Sequence, residues 1–274
     1  MARSIGDEDL RNLVEEYHPR RNWYRDTGRF CSRVCAKKRA TQIELVLSKE
    51  PDGMLDGLRS AEIFLSDADE VMRNLVRTHG QCTLDRERND LFHALSEMVI
   101  GQQLSAKAAK TISGRVADLA GNPFRPEKLA ALSFESLRLA GISSKKVQCL
   151  KQIAEKVLSA ELQLDEFGGK CDEDVVRTLT RISGIGRWTA EMFLIFGLKR
   201  LDVFSETDAG LRRAIRMLYY RTDEDPETAG ISGKWRPYRS VASWYLWRSL
   251  DSLGTMSRSR KAGDVQRKKE RLVQ

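Results

Sequence analysis

Cysteines are too few and too scattered in this chain to build a disulfide framework. They form an odd set of five that favours a reducing compartment: Cys31, Cys35, Cys82, Cys149 and Cys171. No stretch approaches the roughly 20 consecutive apolar residues that a transmembrane helix needs, which argues against a membrane protein. The first ten residues are polar and acidic, so no signal peptide is expected. We therefore expect an intracellular protein, in the cytoplasm or nucleoid of a bacterium or in the nucleus of a eukaryote.

Metal-binding patterns are also scarce, because the chain holds only three histidines. Cys31 and Cys35 have the spacing C-x3-C with His18 upstream, which is a weak zinc pattern. Two ordinary cysteines are the better interpretation, and we predict no metal site.

Strand patterns are nearly absent. Only residues 41–47 (TQIELVL) alternate like a strand, and the turn signal Pro51-Asp52-Gly53 follows them. From about residue 58 the apolar residues recur at helical spacing. The predicted helices cover 90–100, Ser105 to Gly121, 134–140, 145–158, 173–181, 188–197, 206–220 and 238–250. The predicted fold is an all-α core of antiparallel helix neighbours at 58–254, with an extension at 1–57 that has room for one short strand and a tail at 255–274.

The helix between Ser105 and Gly121 is the best defined of these. Ser105 is a favourable N-cap residue, and Gly121 is a favourable residue to end a helix. The residues predicted to face inward are Ala108, Ala109, Ile112, Val116 and Leu119.

Positive charge is concentrated at the two ends of the chain. The net charge is +8, from 47 basic and 39 acidic residues. Residues 19–39 hold eight basic residues against one acid, and residues 255–274 hold seven against two, so the rest of the chain nets −4. Basic segments of this kind favour binding to nucleic acid, although a disordered, solubilising tail explains 255–274 equally well. In the first segment, aromatic residues stand among the cations, which suits backbone-plus-stacking contacts.

A Gly-x-Gly turn lies between two predicted helices in the stretch LTRISGIGRWTA at 179–190. Glycines allow positive φ and a close approach of backbone to a ligand. The free N–H groups at the start of the second helix would suit a phosphate oxygen and would read shape and charge instead of base identity. An ordinary αα-hairpin is the alternative for this turn taken alone.

Asp208 follows Trp188 by twenty residues, in the first turn of the helix predicted at 206–220. Ser205 and Asp208 have the S-x-x-D spacing of a capping box, which is one interpretation. The other is catalytic: a carboxylate at a helix N-terminus is held ionised and can stabilise a cationic sugar in a transition state.

The hairpin with its downstream aspartate resembles the helix-hairpin-helix DNA glycosylase superfamily, and within it the 3-methyladenine DNA glycosylase II (alkylation-repair) branch. Three further segments carry the resemblance: IGQQLS at 100–105, GISSKKV at 141–147, and WRPYRS at 235–240 followed by Trp244 and Trp247. The resemblance covers roughly residues 60–252, with the motifs in the family's order.

The resemblance implies a role for each matched residue. Asp208 matches the catalytic aspartate. The phosphate-binding hairpin is matched by Ser183, Gly184, Ile185, Gly186 and Arg187. The loop that enters DNA where a base is flipped out is matched by Gln102, Gln103 and Leu104, and either Gln103 or Leu104 fills the gap. The base pocket is matched by Trp188, Met192 and Trp247, with Met192 in place of a stacking tyrosine.

The resemblance also implies the activity: hydrolysis of the glycosidic bond of flipped-out alkylated purines in double-stranded DNA, by a monomer that leaves an abasic site. The last cysteine is Cys171, so no iron–sulfur cluster is expected. Trp188 occupies the position of the Schiff-base lysine in bifunctional members, so no lyase activity is expected. No cofactor is predicted, and a structural monovalent cation at the hairpin is left open. The alternatives are the same fold acting on deaminated or mispaired bases (hypoxanthine, uracil), and a non-catalytic helix-hairpin-helix DNA-binding protein.

Overall fold

The computed structural model describes residues 57–84, 90–220 and 228–250. The strand predicted at 41–47, the basic segment 19–39, the cysteine pair Cys31 and Cys35, and the tail 255–274 lie outside the described residues.

Twelve α-helices follow one another along the described residues. They are α1 (Gly57–Ala68), α2 (Glu70–His79), α3 (Leu91–Gly101), α4 (Ala106–Ala120), α5 (Pro126–Ala131), α6 (Phe134–Leu139), α7 (Ser144–Leu158), α8 (Asp172–Leu179), α9 (Arg187–Met192), α10 (Ala209–Ile215), α11 (Thr228–Ser232) and α12 (239–250). Short 3₁₀ turns cover Leu164–Gly169 and Gly233–Trp235, and α9 and α10 widen into π turns at Phe193–Gly197 and Arg216–Tyr220. These ranges contain no strand, and the predicted all-α fold is confirmed.

The ends of α4 form as predicted, but one residue predicted to face inward does not. The Ser105 hydroxyl accepts a hydrogen bond from the Ala108 amide at 3.3 Å, and Gly121 ends the helix with φ +86°. Leu119, predicted to face inward, is 43% exposed. Ala120 is fully buried instead, because it lies four residues after the buried Val116, on the same face of the helix.

Helix α3 is the centre of the bundle, and its C-terminal end positions the candidate site. It packs against α4, α7 and α9, and Leu95, Val99 and Ile100 are buried along it. Helices α5 and α6 pack on α7. The chain therefore leaves α3 at Gly101 beside the elements that carry the Gly-x-Gly hairpin.

Two buried carboxylates tie the first two helices to the last ones. Glu62 accepts from the Cys82 amide at 2.7 Å, and its Oε1 lies 3.1 Å from the Tyr245 hydroxyl. Asp69 caps α2 through Oδ1 and accepts through Oδ2 from the Tyr219 hydroxyl and the Trp235 indole. These contacts join α1 to α12 and the start of α2 to the turns that carry Tyr219 and Trp235.

Candidate active site

The Gly-x-Gly hairpin joins α8 to α9 and presents its backbone outward. Ile182 and Ile185 are buried and anchor the turn, while Ser183, Gly184 and Gly186 are exposed. The Ile185 amide donates to the Ile182 carbonyl at 3.0 Å. Gly184 has φ +94°, and a Cβ there would lie 3.0 Å from the Cβ of Cys149. The position therefore requires glycine for its conformation and for its space.

Arg187, predicted to contact phosphate, is bound to two carboxylates. Its Nη1 and Nη2 donate to Glu173 at 3.1 and 3.0 Å, and its Nε donates to Glu191 at 2.9 Å. The pairing with Glu173 raises the pKa of Arg187 and lowers the pKa of Glu173. The charge of this guanidinium is thus already matched within the protein, and its contact with phosphate stays a prediction.

Glu191 continues this network into the core. It is 7% exposed, and its Oε2 accepts from the hydroxyl of the fully buried Ser205 at 2.6 Å. The Ser205 carbonyl in turn accepts from the Asp208 amide at 3.1 Å. The network therefore connects the hairpin to the segment that precedes Asp208.

Asp208 is the N-cap of α10 and not a residue of its first turn. Its Oδ1 accepts from the Leu211 amide at 2.7 Å, and α10 begins at Ala209. The capping box is not formed, because the Ser205 hydroxyl binds Glu191 instead. Asp208 alone caps the helix, so the predicted capping box is wrong, and the catalytic interpretation stays a prediction.

Two tryptophans hold the Asp208 carboxylate. The indole Nε1 of Trp188 donates to Oδ2 at 2.7 Å, and that of Trp247 donates to Oδ1 at 3.0 Å. Asp208 is 7% exposed, so three N–H donors surround a nearly buried carboxylate. The structure thus brings together three residues that the sequence places twenty and thirty-nine residues apart.

The ring of Phe196 packs beside Trp247, with the two ring centroids 5.6 Å apart. A Cβ at Gly210 would lie 3.1 Å from Asp208 Oδ1 and 3.2 Å from Trp247 Cδ1. The carboxylate and the Trp247 indole are therefore closely confined. Trp235 and Trp244 are buried in the core.

The loop after α3 lies against the hairpin. Gln102 Nε2 donates to the Gly184 carbonyl at 2.9 Å and to the Thr189 hydroxyl at 3.0 Å. Gln103 is exposed with φ +55°, and Leu104 is 39% exposed. The side chain of Gln102 therefore faces the protein, whereas Gln103 and Leu104 face outward. Their contacts with DNA stay predictions.

Met192, predicted to line the base pocket, is 4% exposed and belongs to the core. Burial does not show that Met192 contacts Trp188, Trp247 or Asp208. Its role in the base pocket therefore stays a prediction.

A cavity of about 340 Å³ has Glu191 in its wall. Five of its lining residues are acidic and two are arginines: Asp172, Glu173, Glu191, Asp202, Glu206, Arg187 and Arg239. This excess of negative charge would repel a polyanion, so the cavity does not suit a DNA strand.

Within the described part of the chain, no group of three His, Cys, Asp or Glu side chains could hold a metal ion. The hairpin offers the Ser183 hydroxyl and backbone carbonyl oxygens to a monovalent cation. Those of Ile182 and Gly184 already accept hydrogen bonds from the Ile185 amide and from Gln102.

Three residues of the site have no role predicted from the sequence: Thr189, Glu191 and Lys146. Lys146 lies in the GISSKKV segment, and its Nζ donates to the carbonyls of Ile100 and Gln102 at 2.8 and 2.6 Å. One feature of the sequence could have indicated the role of Glu191: it follows Arg187 by four residues, the spacing of a helical ion pair. The contact with Ser205 has no such local signal.

An exposed Gly-x-Gly turn between two helices, beside a buried carboxylate held by two indoles, defines a helix-hairpin-helix protein of the DNA glycosylase type. A model of the family described as "HhH-GPD superfamily base excision DNA repair protein" matches residues 96–235. The chain belongs to this family. None of the helices in the described ranges is long and apolar enough to cross a membrane.

Several similar proteins are named as 3-methyladenine DNA glycosylases. DNA-3-methyladenine glycosylase 1 of Schizosaccharomyces pombe is 35% identical over 73% of this chain and 91% of its own. The solved structure of the 3-methyladenine DNA glycosylase from that yeast, in complex with abasic DNA, matches with a TM-score of 0.63 over 70% of this chain and 96% of that one. The crystal structure of a DNA-3-methyladenine glycosidase from Bacillus halodurans is 37% identical, with a TM-score of 0.60 over 71% of this chain and 91% of that one.

Proposed function

We propose that the protein is a monofunctional DNA glycosylase of base excision repair that removes alkylated purines of the 3-methyladenine and 7-methylguanine type. The observation that carries the proposal is the Asp208 carboxylate, nearly buried and held by the indoles of Trp188 and Trp247. The names of the similar yeast and bacterial proteins support the same substrate class. DNA that contains damaged bases is the proposed partner.

The proposed reaction needs little general-acid catalysis to release the base. An N-alkylated purine is cationic, and its glycosidic bond is already weak. As this bond breaks, positive charge develops on the sugar, and a fixed carboxylate at Asp208 stabilises that charge more than it stabilises the ground state. Because the indole N–H edges of Trp188 and Trp247 point to the carboxylate, the ring faces are the parts left to attract a cationic base.

The proposed DNA contacts follow from the exposed backbone and loop. The hairpin at 183–187 binds phosphate through its backbone N–H groups, in a way that does not depend on sequence. The loop at 102–104 enters the duplex where the damaged base leaves it. Trp188, Met192 and Trp247 form the proposed base pocket.

The proposed product is an intact abasic site, because Trp188 stands where a bifunctional enzyme would carry its lysine. Borohydride added during turnover should trap no covalent adduct of protein and DNA. A trapped adduct, or strand cleavage without alkali, would show that an amine of this protein acts as a nucleophile.

The proposed enzyme is an intracellular monomer whose glycosylase domain spans 58–254, with the segments 1–57 and 255–274 outside it. These boundaries and the oligomeric state belong to the proposal, and analytical ultracentrifugation would measure the latter.

The test of the function is mass spectrometry of the bases that the purified protein releases from methylated duplex DNA. Release of 3-methyladenine and 7-methylguanine is expected. Duplexes that contain hypoxanthine or uracil are tested in parallel. If the protein releases these bases and no alkylated purine, its substrates are deaminated bases. Binding to DNA without release of any base would leave a helix-hairpin-helix binding protein.

A further inference from the structure

Lys146 joins the start of α7 to the end of α3. Its Nζ donates to the carbonyl of Ile100 at 2.8 Å and to the carbonyl of Gln102 at 2.6 Å. The last carbonyls of a helix have no partner within the helix, and a cation near a helix C-terminus is favourable. Partial burial lowers the pKa of Lys146. Lys146 thus supplies hydrogen-bond donors to two carbonyls at the C-terminal end of α3.

The loop that this lysine holds has an uncommon backbone. Gln103 has φ +55°, a conformation that residues other than glycine seldom adopt, so surrounding contacts must maintain it. Gln102, just before it, is fixed twice: its carbonyl by Lys146, and its side chain by the Gly184 carbonyl and the Thr189 hydroxyl. The result is that Gln103 and Leu104 project outward beside the hairpin.

We propose that Lys146 is a positioning residue, which presets the 102–104 loop in the conformation that fills the gap left by an extruded base. The inference rests on the proposed function, since it takes this loop to be the part that enters the duplex. Lys146 touches neither the base nor the sugar in this role. It acts through the backbone carbonyls of Ile100 and Gln102, by removing the need to order the loop when DNA binds.

The experiment measures gap filling without any chemistry. The full-length protein is titrated against an undamaged duplex and against the same duplex with one tetrahydrofuran abasic analogue. The ratio of the two dissociation constants measures how well the loop occupies the gap. We expect the wild-type protein to prefer the abasic duplex, and Lys146→Met to reduce that preference about tenfold, because Met keeps the aliphatic stem and removes the donors.

Two variants separate positioning from charge and from folding. Lys145 is exposed on the same turn of α7, so Lys145→Met removes an equal charge without touching the Ile100 and Gln102 carbonyls. Its preference for the abasic duplex should equal that of the wild-type protein, even if its affinity for both duplexes falls. Lys146→Arg restores donors near the two carbonyls and should recover most of the preference. Melting curves of all variants check that each is folded at the temperature of the titration.

An unchanged preference in Lys146→Met overturns the proposal, and so does an equal loss in Lys145→Met. A wild-type protein with no preference for the abasic duplex also overturns it, since the loop then does not fill a gap. The proposed glycosylase function fails separately: a protein that prefers the abasic duplex but releases no base from methylated DNA would keep the role of Lys146 and lose the activity.

Discussion

Asp208 combines a structural role with the proposed catalytic one. Its Oδ1 accepts from the Leu211 amide and the Trp247 indole, and its Oδ2 accepts from the Trp188 indole. A carboxylate that only capped α10 would need one acceptor atom. The second oxygen and the near burial place a fixed negative charge beside two aromatic rings, an environment that suits stabilisation of a cation.

The substitution Asp208→Asn tests these two roles at the scale of one residue. Asn keeps an oxygen for the cap, but its amide group would face the Trp188 indole and break that hydrogen bond, at a cost of about 1–3 kcal/mol in stability. The variant should therefore fold with a lower melting temperature. Single-turnover excision should slow by ~10²–10³, the usual effect of removing one well-placed electrostatic partner.

A matched control is Asp90→Asn, which changes the exposed N-cap of α3, where Oδ1 accepts from the His93 amide at 2.9 Å. It should leave excision unchanged. If Asp208→Asn excises alkylated purines at the wild-type rate, Asp208 is only the cap of α10 and the catalytic assignment is wrong.

At the scale of elements, patterns that repeat along the chain predict the structure well. Helix α4 begins after Ser105 and ends before Gly121, and α7 covers Ser144–Leu158 against a predicted 145–158. These helices span several turns, so their apolar stripes and end residues are visible in the sequence. Helix α5 is not among the predicted helices, whereas α6, which has the same length of six residues, is predicted at 134–140.

Contacts between distant elements cannot be predicted in the same way. The sequence identifies Asp208 and Trp188 separately, through the resemblance, but nothing in it indicates that the indole donates to the carboxylate. The contacts of Lys146 cross more than forty residues, and the pair Glu191 and Ser205 joins two elements through side chains alone. Such pairs depend on how the helices pack, which helical periodicity does not encode.

The two glycines of the hairpin provide a prediction at this scale. Gly184→Ala places a methyl group about 3.0 Å from Cys149 in a left-handed conformation, and should lower the free energy of unfolding by about 1–3 kcal/mol. Gly186 has φ −91°, and a Cβ there meets nothing within 4 Å, so Gly186→Ala should fold normally.

Gly186→Ala should instead weaken the binding of the protein to DNA. The methyl group of Gly186→Ala lies on the exposed face of the turn, where a phosphate would approach, so this variant should bind undamaged duplex several-fold more weakly. Chemical denaturation and fluorescence anisotropy measure the two effects. Wild-type affinity in Gly186→Ala would argue against phosphate binding by this turn.

A second prediction at this scale concerns Glu191, which connects α9 to the segment before Asp208. Glu191→Ala leaves the buried Ser205 hydroxyl without its acceptor and should destabilise the protein by about 1–3 kcal/mol. Glu173→Ala breaks only the exposed pair with Arg187 and should cost about 0–1 kcal/mol. Urea denaturation of the two variants checks the difference, and an equal destabilisation would contradict a network that depends on the buried pair.

At the scale of the whole molecule, most of the net positive charge lies outside residues 58–254. Residues 58–254 net only about +2 of the total of +8, and the cavity beside Glu191 is acidic. A domain of this charge has little long-range attraction for a duplex, and the phosphate binding proposed for the hairpin uses neutral N–H groups. The basic segments at 19–39 and 255–274 are therefore predicted to supply much of the non-specific affinity.

Deletion of 255–274 tests this division of labour, since the segment carries seven basic residues against two acids. The truncated protein should bind undamaged duplex more weakly, and the slope of log K against log salt should become shallower by ~0.9 for each phosphate that the tail neutralises in the full-length protein. Excision at saturating enzyme should stay the same, because Asp208, Trp188 and Trp247 are all retained. Anisotropy titrations at several salt concentrations, with single-turnover excision beside them, measure both quantities. A slope equal to that of the full-length protein would mean that the tail binds no phosphate, and residues 19–39 would then be the segment to delete next.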